Sequence, residues 1–327
     1  MNHNVASGMI RSVHYLERDP GDNWIKDDGI RIDLDTPLDA GQIITPNVIR
    51  FPDGTYRMYY TGYGPGSSYP DSNGYVLSAR SDDGLLWSKE PGVRLNVHLP
   101  HAELRVLCPD VIPLASGGYR MYYEASNPNQ PSNILSAVSE DGLAWNPEPG
   151  IRFGDGIGSF GSPRCVYVDP LPGMAPQAPA WRLYCHHYTF PMQTGLDAQN
   201  HIVSAISSDG LHFEEEPGIR IRQEGALQEY SVYAPDVVRL ADQTYWMVYS
   251  GWTVEGRNGR LFVARSKDGL EWEKTQQPIL ENGGLFDDRV ASEPCVIDLD
   301  DGRHRLYYEA CGRDGKWRIL SATSVVD

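Results

Sequence analysis

Short stretches of alternating apolar and polar residues recur along the whole chain, and helical spacing is hardly visible anywhere. Val76-Leu77-Ser78-Ala79, Ile134-Leu135-Ser136-Ala137 and Ile319-Leu320-Ser321-Ala322 are three copies of one such strand. Four copies of an Asp-Gly turn follow strands of this kind: Ser81 to Trp87, Ser139 to Trp145, Ser207 to Phe213 and Ser266 to Trp272. A strand, an Asp-Gly turn and a second strand predict a β-hairpin. A Pro-centred marker precedes each unit: Thr45-Pro46-Asn47, Cys108-Pro109-Asp110, Ser162-Pro163-Arg164, Ala234-Pro235-Asp236 and Glu293-Pro294-Cys295. An aromatic marker lies between them: Met58-Tyr59-Tyr60, Met121-Tyr122-Tyr123, Leu183-Tyr184-Cys185, Met247-Val248-Tyr249 and Leu306-Tyr307-Tyr308. A period of roughly sixty residues with about four strands per unit predicts an all-β, five-bladed β-propeller.

The ring also shows how it closes. Four units end in an outer strand, expected over Trp87–Leu95, Trp145–Phe153, Phe213–Ile221 and Trp272–Leu280. The fifth runs out after its third strand, and Trp24 to Ile32 carries the missing pattern, matching Trp145 to Phe153. The N-terminal strand (24–33) is therefore expected to complete the last blade of a single domain spanning 1–327. Its blades fall at approximately 43–96, 106–154, 160–222, 232–281 and 291–327. Closure removes the unpaired edges that an open array would present.

Composition narrows the partners. The 19 Tyr and 8 Trp supply aromatic mass for the contacts between blades. A net charge of −16 argues against nucleic acid, which needs a basic face. No segment is apolar enough for a membrane span, and Met1 to Pro20 lacks the apolar core of a secretion signal, so a cytoplasmic protein is expected. The five cysteines are read as buried free thiols. None forms a CxxC or a Cys/His pair with zinc-ligand spacing, so no cofactor is expected, although a channel metal held by one His and water stays open.

The first strand of each propeller blade lines the central channel, so five Pro-centred markers converge on one axis. Around them are Asn47, Asp110, Arg164, Asp236 and Glu293, with Glu124, His186 and Glu309 at the ends of second strands. The apolar marks repeat in every unit while these polar ones differ, as a site requires. Crowded carboxylates split their proton affinities, so that one donates and another accepts. Asp110 and Asp236 could instead cap local backbone, and Arg164 could be a channel salt bridge. Tyrosines, His186 and Trp252 on the long loops suit a sugar, with apolar faces and a hydroxyl rim.

The Asp-Gly hairpins, Ala234-Pro235-Asp236-Val237 and Glu293-Pro294 resemble the five-bladed propeller glycosidases, glycoside hydrolase family 43 and its relatives in families 32, 62, 68, 117 and 130. The resemblance covers nearly the whole chain in repeat architecture and implies acid/base cleavage of a glycosidic bond. It implies Glu293 as the acid, with Asp110 and Asp236 supplying the other catalytic carboxylate and Glu124 and Glu309 as further candidates. Asn47, Arg164, Glu124, His186, Glu309 and Trp252 are then expected to bind a small-molecule or oligosaccharide substrate. The motifs depart from the family pattern: Ile44-Thr45-Pro46-Asn47 has no carboxylate where families 43 and 32 place an Asp, and Ser162-Pro163-Arg164 offers none either. A non-hydrolytic enzyme on the same scaffold (an isomerase, lyase or cyclase of a small metabolite) and a non-catalytic binding propeller are the alternatives.

Overall fold

Apolar alternation with Asp-Gly turns produces strands throughout. The computed structural model describes residues 14–169, 180–191, 200–253 and 258–325, and none of these is helical. In chain order, β1 (Tyr15–Leu16) and β2 (Trp24–Lys26) precede the first blade, which is β3 (Gln42–Arg50), β4 (Tyr56–Tyr63), β5 (Tyr75–Ser81) and β6 (Ser88–Lys89). The second is β7 (Arg105–Pro113), β8 (Tyr119–Ser126), β9 (Asn133–Ser139) and β10 (Asn146–Pro147). The third is β11 (Gly158–Val168), β12 (Ala180–Thr189), β13 (His201–Ser207) and β14 (Glu214–Glu215). The fourth is β15 (Ser231–Leu240), β16 (Tyr245–Trp252), β17 (Gly259–Ser266) and β18 (Glu273–Lys274). β19 (Val290–Asp298), β20 (His304–Cys311) and β21 (Trp317–Ser324) form the fifth, and β2 pairs antiparallel with β21, Ile25 opposite Thr323. The protein is a β-propeller whose last blade is closed by an N-terminal strand.

The outer strands are shorter than the sequence suggested. Each is two or three residues long, followed by one isolated bridge such as Val76 to Leu95 or Ile32 to Ile319. The Glu-Pro-Gly turn in the first three blades interrupts pairing, because Pro has no N–H to give the ladder. The Glu of that turn is fixed instead by side chains. Glu90, Glu148 and Glu216 each accept from a Ser hydroxyl at 2.7 Å (Ser78, Ser136, Ser204) and from an Arg side chain of the second strand (Arg57, Arg120, Arg182).

Neighbouring blades are latched at their seams. The hydroxyls of Tyr59, Tyr122, Tyr184 and Tyr307 each donate to the carbonyl of the Asp-Gly glycine in the next blade, at 2.7–2.9 Å. The fourth blade has Val248 at this position and cannot do so. That seam is covered by residues 14–26: β1 pairs parallel with β15, Arg265 binds Asp19 and Asp22, and Trp24 packs on Trp246 with ring centroids 6.3 Å apart. The chain start therefore does more than supply an outer strand; it bridges the one seam that lacks the tyrosine latch. All five cysteines are buried and unpaired. No helix among the described residues is long and apolar enough to cross a membrane.

Candidate active site

A strained turn recurs at every inner strand. The residue before each marker proline, Thr45, Cys108, Ser162, Ala234 and Glu293, has φ between 46° and 58°. The strand-pairing register slips at the same place in all five blades, between Ile44/Asn47, Leu107/Asp110, Gly161/Arg164, Tyr233/Asp236 and Ser292/Cys295. A left-handed residue without glycine costs on the order of 1 kcal/mol or more. The bulge turns that residue's N–H away from its own ladder and toward the preceding blade, where a second-strand residue accepts it. In three blades this bond is explicit: Thr45 N–H binds Glu309 (3.1 Å), Cys108 N–H binds Thr61 (3.2 Å) and Glu293 N–H binds Ser250 (3.0 Å).

One level deeper, the residue after each proline stitches the next seam. Asn47 accepts from Val111 N–H (3.0 Å), Asp110 from Cys165 N–H (2.8 Å), Asp236 from Val296 N–H (2.7 Å), and the Cys295 thiol from Val48 N–H (3.2 Å). Asn47 turns its amide toward Asp110. Arg164 occupies the third blade's place in this ring and has no acceptor to offer. Its Nε donates to Asp236 at 3.0 Å, and its guanidinium reaches the carbonyls of Pro163 and Pro294. From the far end, His14 enters between Asp110 (2.8 Å) and Asp236 (3.9 Å). Arg164 and His14 thus occupy the axis, and the channel has a floor.

Asp110 and Asp236 are accordingly fully buried and have their oxygens bound on both sides. They join neighbouring blades through these bonds, because a carboxylate in low dielectric takes the donors that surround it. Each caps backbone, but that of the next blade rather than its own loop. Asn47 is similarly consumed. His14 carried no signal in the sequence, being one histidine in a segment with no repeat.

Above the floor three glutamates meet. Glu293 accepts from the Ser162 hydroxyl, which sits 2.9 and 3.1 Å from its two oxygens. Burial and then the neighbouring Glu309 charge push its proton affinity well above the usual carboxyl range, and Arg164 opposes them. Glu309 accepts from Ser292 (2.6 Å) and Thr45 N–H (3.1 Å), and burial still lifts it to about 7. Glu124 is raised by burial, with Arg105 opposing.

Aromatic groups surround this cluster. Tyr69 and Tyr188 feel the Glu124 charge, and Tyr233 feels Glu309 and Glu293. Trp252 is half-buried and donates its indole N–H to the Tyr233 hydroxyl at 2.6 Å. His186 stacks on Tyr188 with centroids 5.2 Å apart, and its buried Nδ1 has no partner. Strand alternation sends His187 the other way, onto Phe160 and His201. Burial depresses His186 to about 3, so it is neutral. A side chain on Gly161 would come within 2.0 Å of Glu124 and 2.5 Å of His186, so that glycine is the gap into which the two converge. No group of His, Cys, Asp and Glu among the described residues is arranged to hold a metal. Parts of the long loops, residues 192–199 and 254–257, lie outside the described residues.

The likeness to solved structures is one of fold. A structure described as a glycoside hydrolase aligns over 93% of both chains at 16% identity (TM-score 0.76). An endo-arabinase of Bacteroides thetaiotaomicron aligns over 92% of this chain and 99% of its own at 14% identity (TM-score 0.66). A structure from the GH130 family of mannoside phosphorylases, which contains glycoside hydrolases that target beta-1,2 mannosidic linkages in Candida mannan, aligns over 91% and 93% at 13% identity (TM-score 0.70). No protein-family model and no curated protein matches the chain.

Proposed function

We propose that the protein is a carbohydrate-active enzyme that cleaves a glycosidic bond by acid/base catalysis at the open end of the channel. The observation that carries this is the buried Glu293–Glu309 pair, held under tyrosines and Trp252, with the proton affinities of both raised. A carboxyl that keeps its proton near neutral pH can give it to a leaving oxygen. Glu293 is assigned as that donor, and Glu309 as the carboxylate that activates water or stabilises the reacting carbon. Glu124, His186 and Trp252 are assigned to sugar hydroxyls and ring faces, and Arg164 to the floor. Glu309 replaces Asp110 and Asp236 as the second catalytic carboxylate.

The test is a panel of aryl glycosides and short oligosaccharides, run with and without inorganic phosphate. Turnover without phosphate indicates hydrolysis, and turnover only with it indicates phosphorolysis. The anomer of the first product gives the stereochemical course. Saturable sugar binding without turnover would reduce the protein to a binding propeller.

A further inference from the structure

Three of the five left-handed residues, Cys108, Ser162 and Glu293, bring their side chains together. The Ser162 Oγ, 2.9 and 3.1 Å from the two oxygens of Glu293, is also 3.4 Å from Sγ of Cys108. That sulfur lies 3.7 Å from Oε2 of Glu124, within hydrogen-bond reach for a thiol. All four side chains are buried. Burial, and then the charges of Glu293 and Glu124, push the Cys108 thiol well above its ordinary range, so it keeps its proton.

A hydroxyl and a thiol each carry one proton and can also accept one. One further proton on this row therefore has two homes. With the proton on Glu293, Glu293 donates to Ser162, Ser162 to Cys108 and Cys108 to Glu124. With the proton on Glu124, every bond in the row is reversed.

We propose that Ser162 and Cys108 form a proton bridge between Glu293 and Glu124, through which Glu124 restores the proton that Glu293 gives up. In one passage the Glu124 O–H, Cys108 S–H and Ser162 O–H bonds break. New S–H, O–H and Glu293 O–H bonds form, so thiol and hydroxyl end as they began and one proton has moved. The catalytic consequence rests on the acid/base reading of Glu293, but the bridge exists without it. Ser162, Cys108 and Glu124 are positioning residues in this scheme, acting through Glu293. The other titratable or charged groups about Glu293 are Glu309, Arg164 and Tyr233. Those about Glu124 are Arg105, Tyr63, Tyr69, Tyr188, Cys185 and His186.

The test is a titration of side-chain carboxyl carbons by NMR on the full chain carrying labelled glutamate, with Glu124→Gln and Glu293→Gln assigning the two signals. Cys108→Ala cuts the bridge and leaves the Ser162 contact to Glu293. Glu124 then loses a donor to its charged form, the stronger of the two bonds it can make with sulfur, so its midpoint should rise by about half a pH unit. Ser162 loses its one acceptor other than Glu293 among the described residues. It can then no longer accept from protonated Glu293 and pass its own proton on, so the Glu293 midpoint should fall. Cys108→Ser keeps a donor and an acceptor and should return both midpoints toward wild type. In infrared spectra, the S–H band that Cys108→Ser removes should lie below the frequency of a free thiol and shift as Glu124 is titrated. On any glycoside that is turned over, the basic limb of kcat/KM should move to lower pH in Cys108→Ala. Midpoints that stay put or move in the same direction, in Cys108→Ala protein that melts as the wild type does, overturn the bridge. A Cys108 band at the free-thiol frequency overturns it too. Opposed shifts in protein that turns over no glycoside support the bridge and sink the catalytic reading alone.

Discussion

The Nε2 of His14 lies 2.8 Å from Oδ1 of Asp110, joining the first described residue to the second blade across 96 positions of chain. The same ring faces Asp236 of the fourth blade at 3.9 Å. One side chain thus ties two non-adjacent blades to the segment that closes the ring.

His14 should make stability pH-dependent. Burial alone would lower its proton affinity, but Asp110 and then Asp236 outweigh burial and raise it above 6.5. A histidine raised on folding contributes stability that is fully present below pH 6.5 and lost as pH climbs through the folded value. His14→Ala should therefore lower the melting temperature more at pH 6 than at pH 9. Equal losses at both would mean that the ring sits there uncharged.

Asp236→Asn takes from buried Arg164 its hydrogen-bonded counter-charge, and breaking such a pair costs about 3–5 kcal/mol. It should destabilise the fold strongly, with Asp110→Asn milder, while folded protein keeps its turnover. Urea melts alongside rates per folded molecule read this out. A large loss of rate in a protein of unchanged midpoint would restore Asp236 to the catalytic set.

Glu293→Gln keeps the shape and the Ser162 contact but removes the proton. Activity should fall by at least about a hundredfold, the scale of general-acid assistance. Full turnover by this variant rules Glu293 out as the donor.

Glu309 is raised on folding from 4.5 to about 7, so its charge opposes folding increasingly as pH rises through that interval. Glu309→Gln should therefore melt higher than wild type at pH 8, with the difference shrinking as pH falls and disappearing only below 4.5, while activity is lost. A variant that melts lower at pH 8 would show the carboxylate to be structurally required.

Gly161→Ala adds one carbon where Glu124 and His186 converge. Something must move, and Oε2 of Glu124 and Nε2 of His186 are both side-chain ends. The fold should survive and sugar affinity should fall, seen as a raised KM or a weaker Kd by calorimetry. Unchanged affinity would remove Glu124 and His186 from the binding surface.

Deleting residues 1–33 removes β2, the seam bridge and His14 together. The exposed edge of β21 should lower solubility and promote self-association. Light scattering on the truncated protein checks this, and a monodisperse product with wild-type melting would refute the closure.

Periodic features were legible in the sequence because each blade must bury the same surfaces. The tyrosine pairs, the Asp-Gly turns and the segment at Trp24 recur at a fixed spacing, and recurrence with one copy displaced to the start is itself the statement of a closed ring. The proline markers also told which residues reach the axis. Their roles were not legible, since a Pro–Asp step reads the same whether the carboxylate meets substrate or a backbone N–H. The bulge sends the Glu293 N–H to Ser250 of the preceding blade, while Asp110 and Asp236 accept backbone donors from the next. His14 belongs to no repeat, so only the folded chain, which brings residues far apart in sequence within hydrogen-bond distance, assigns it a place.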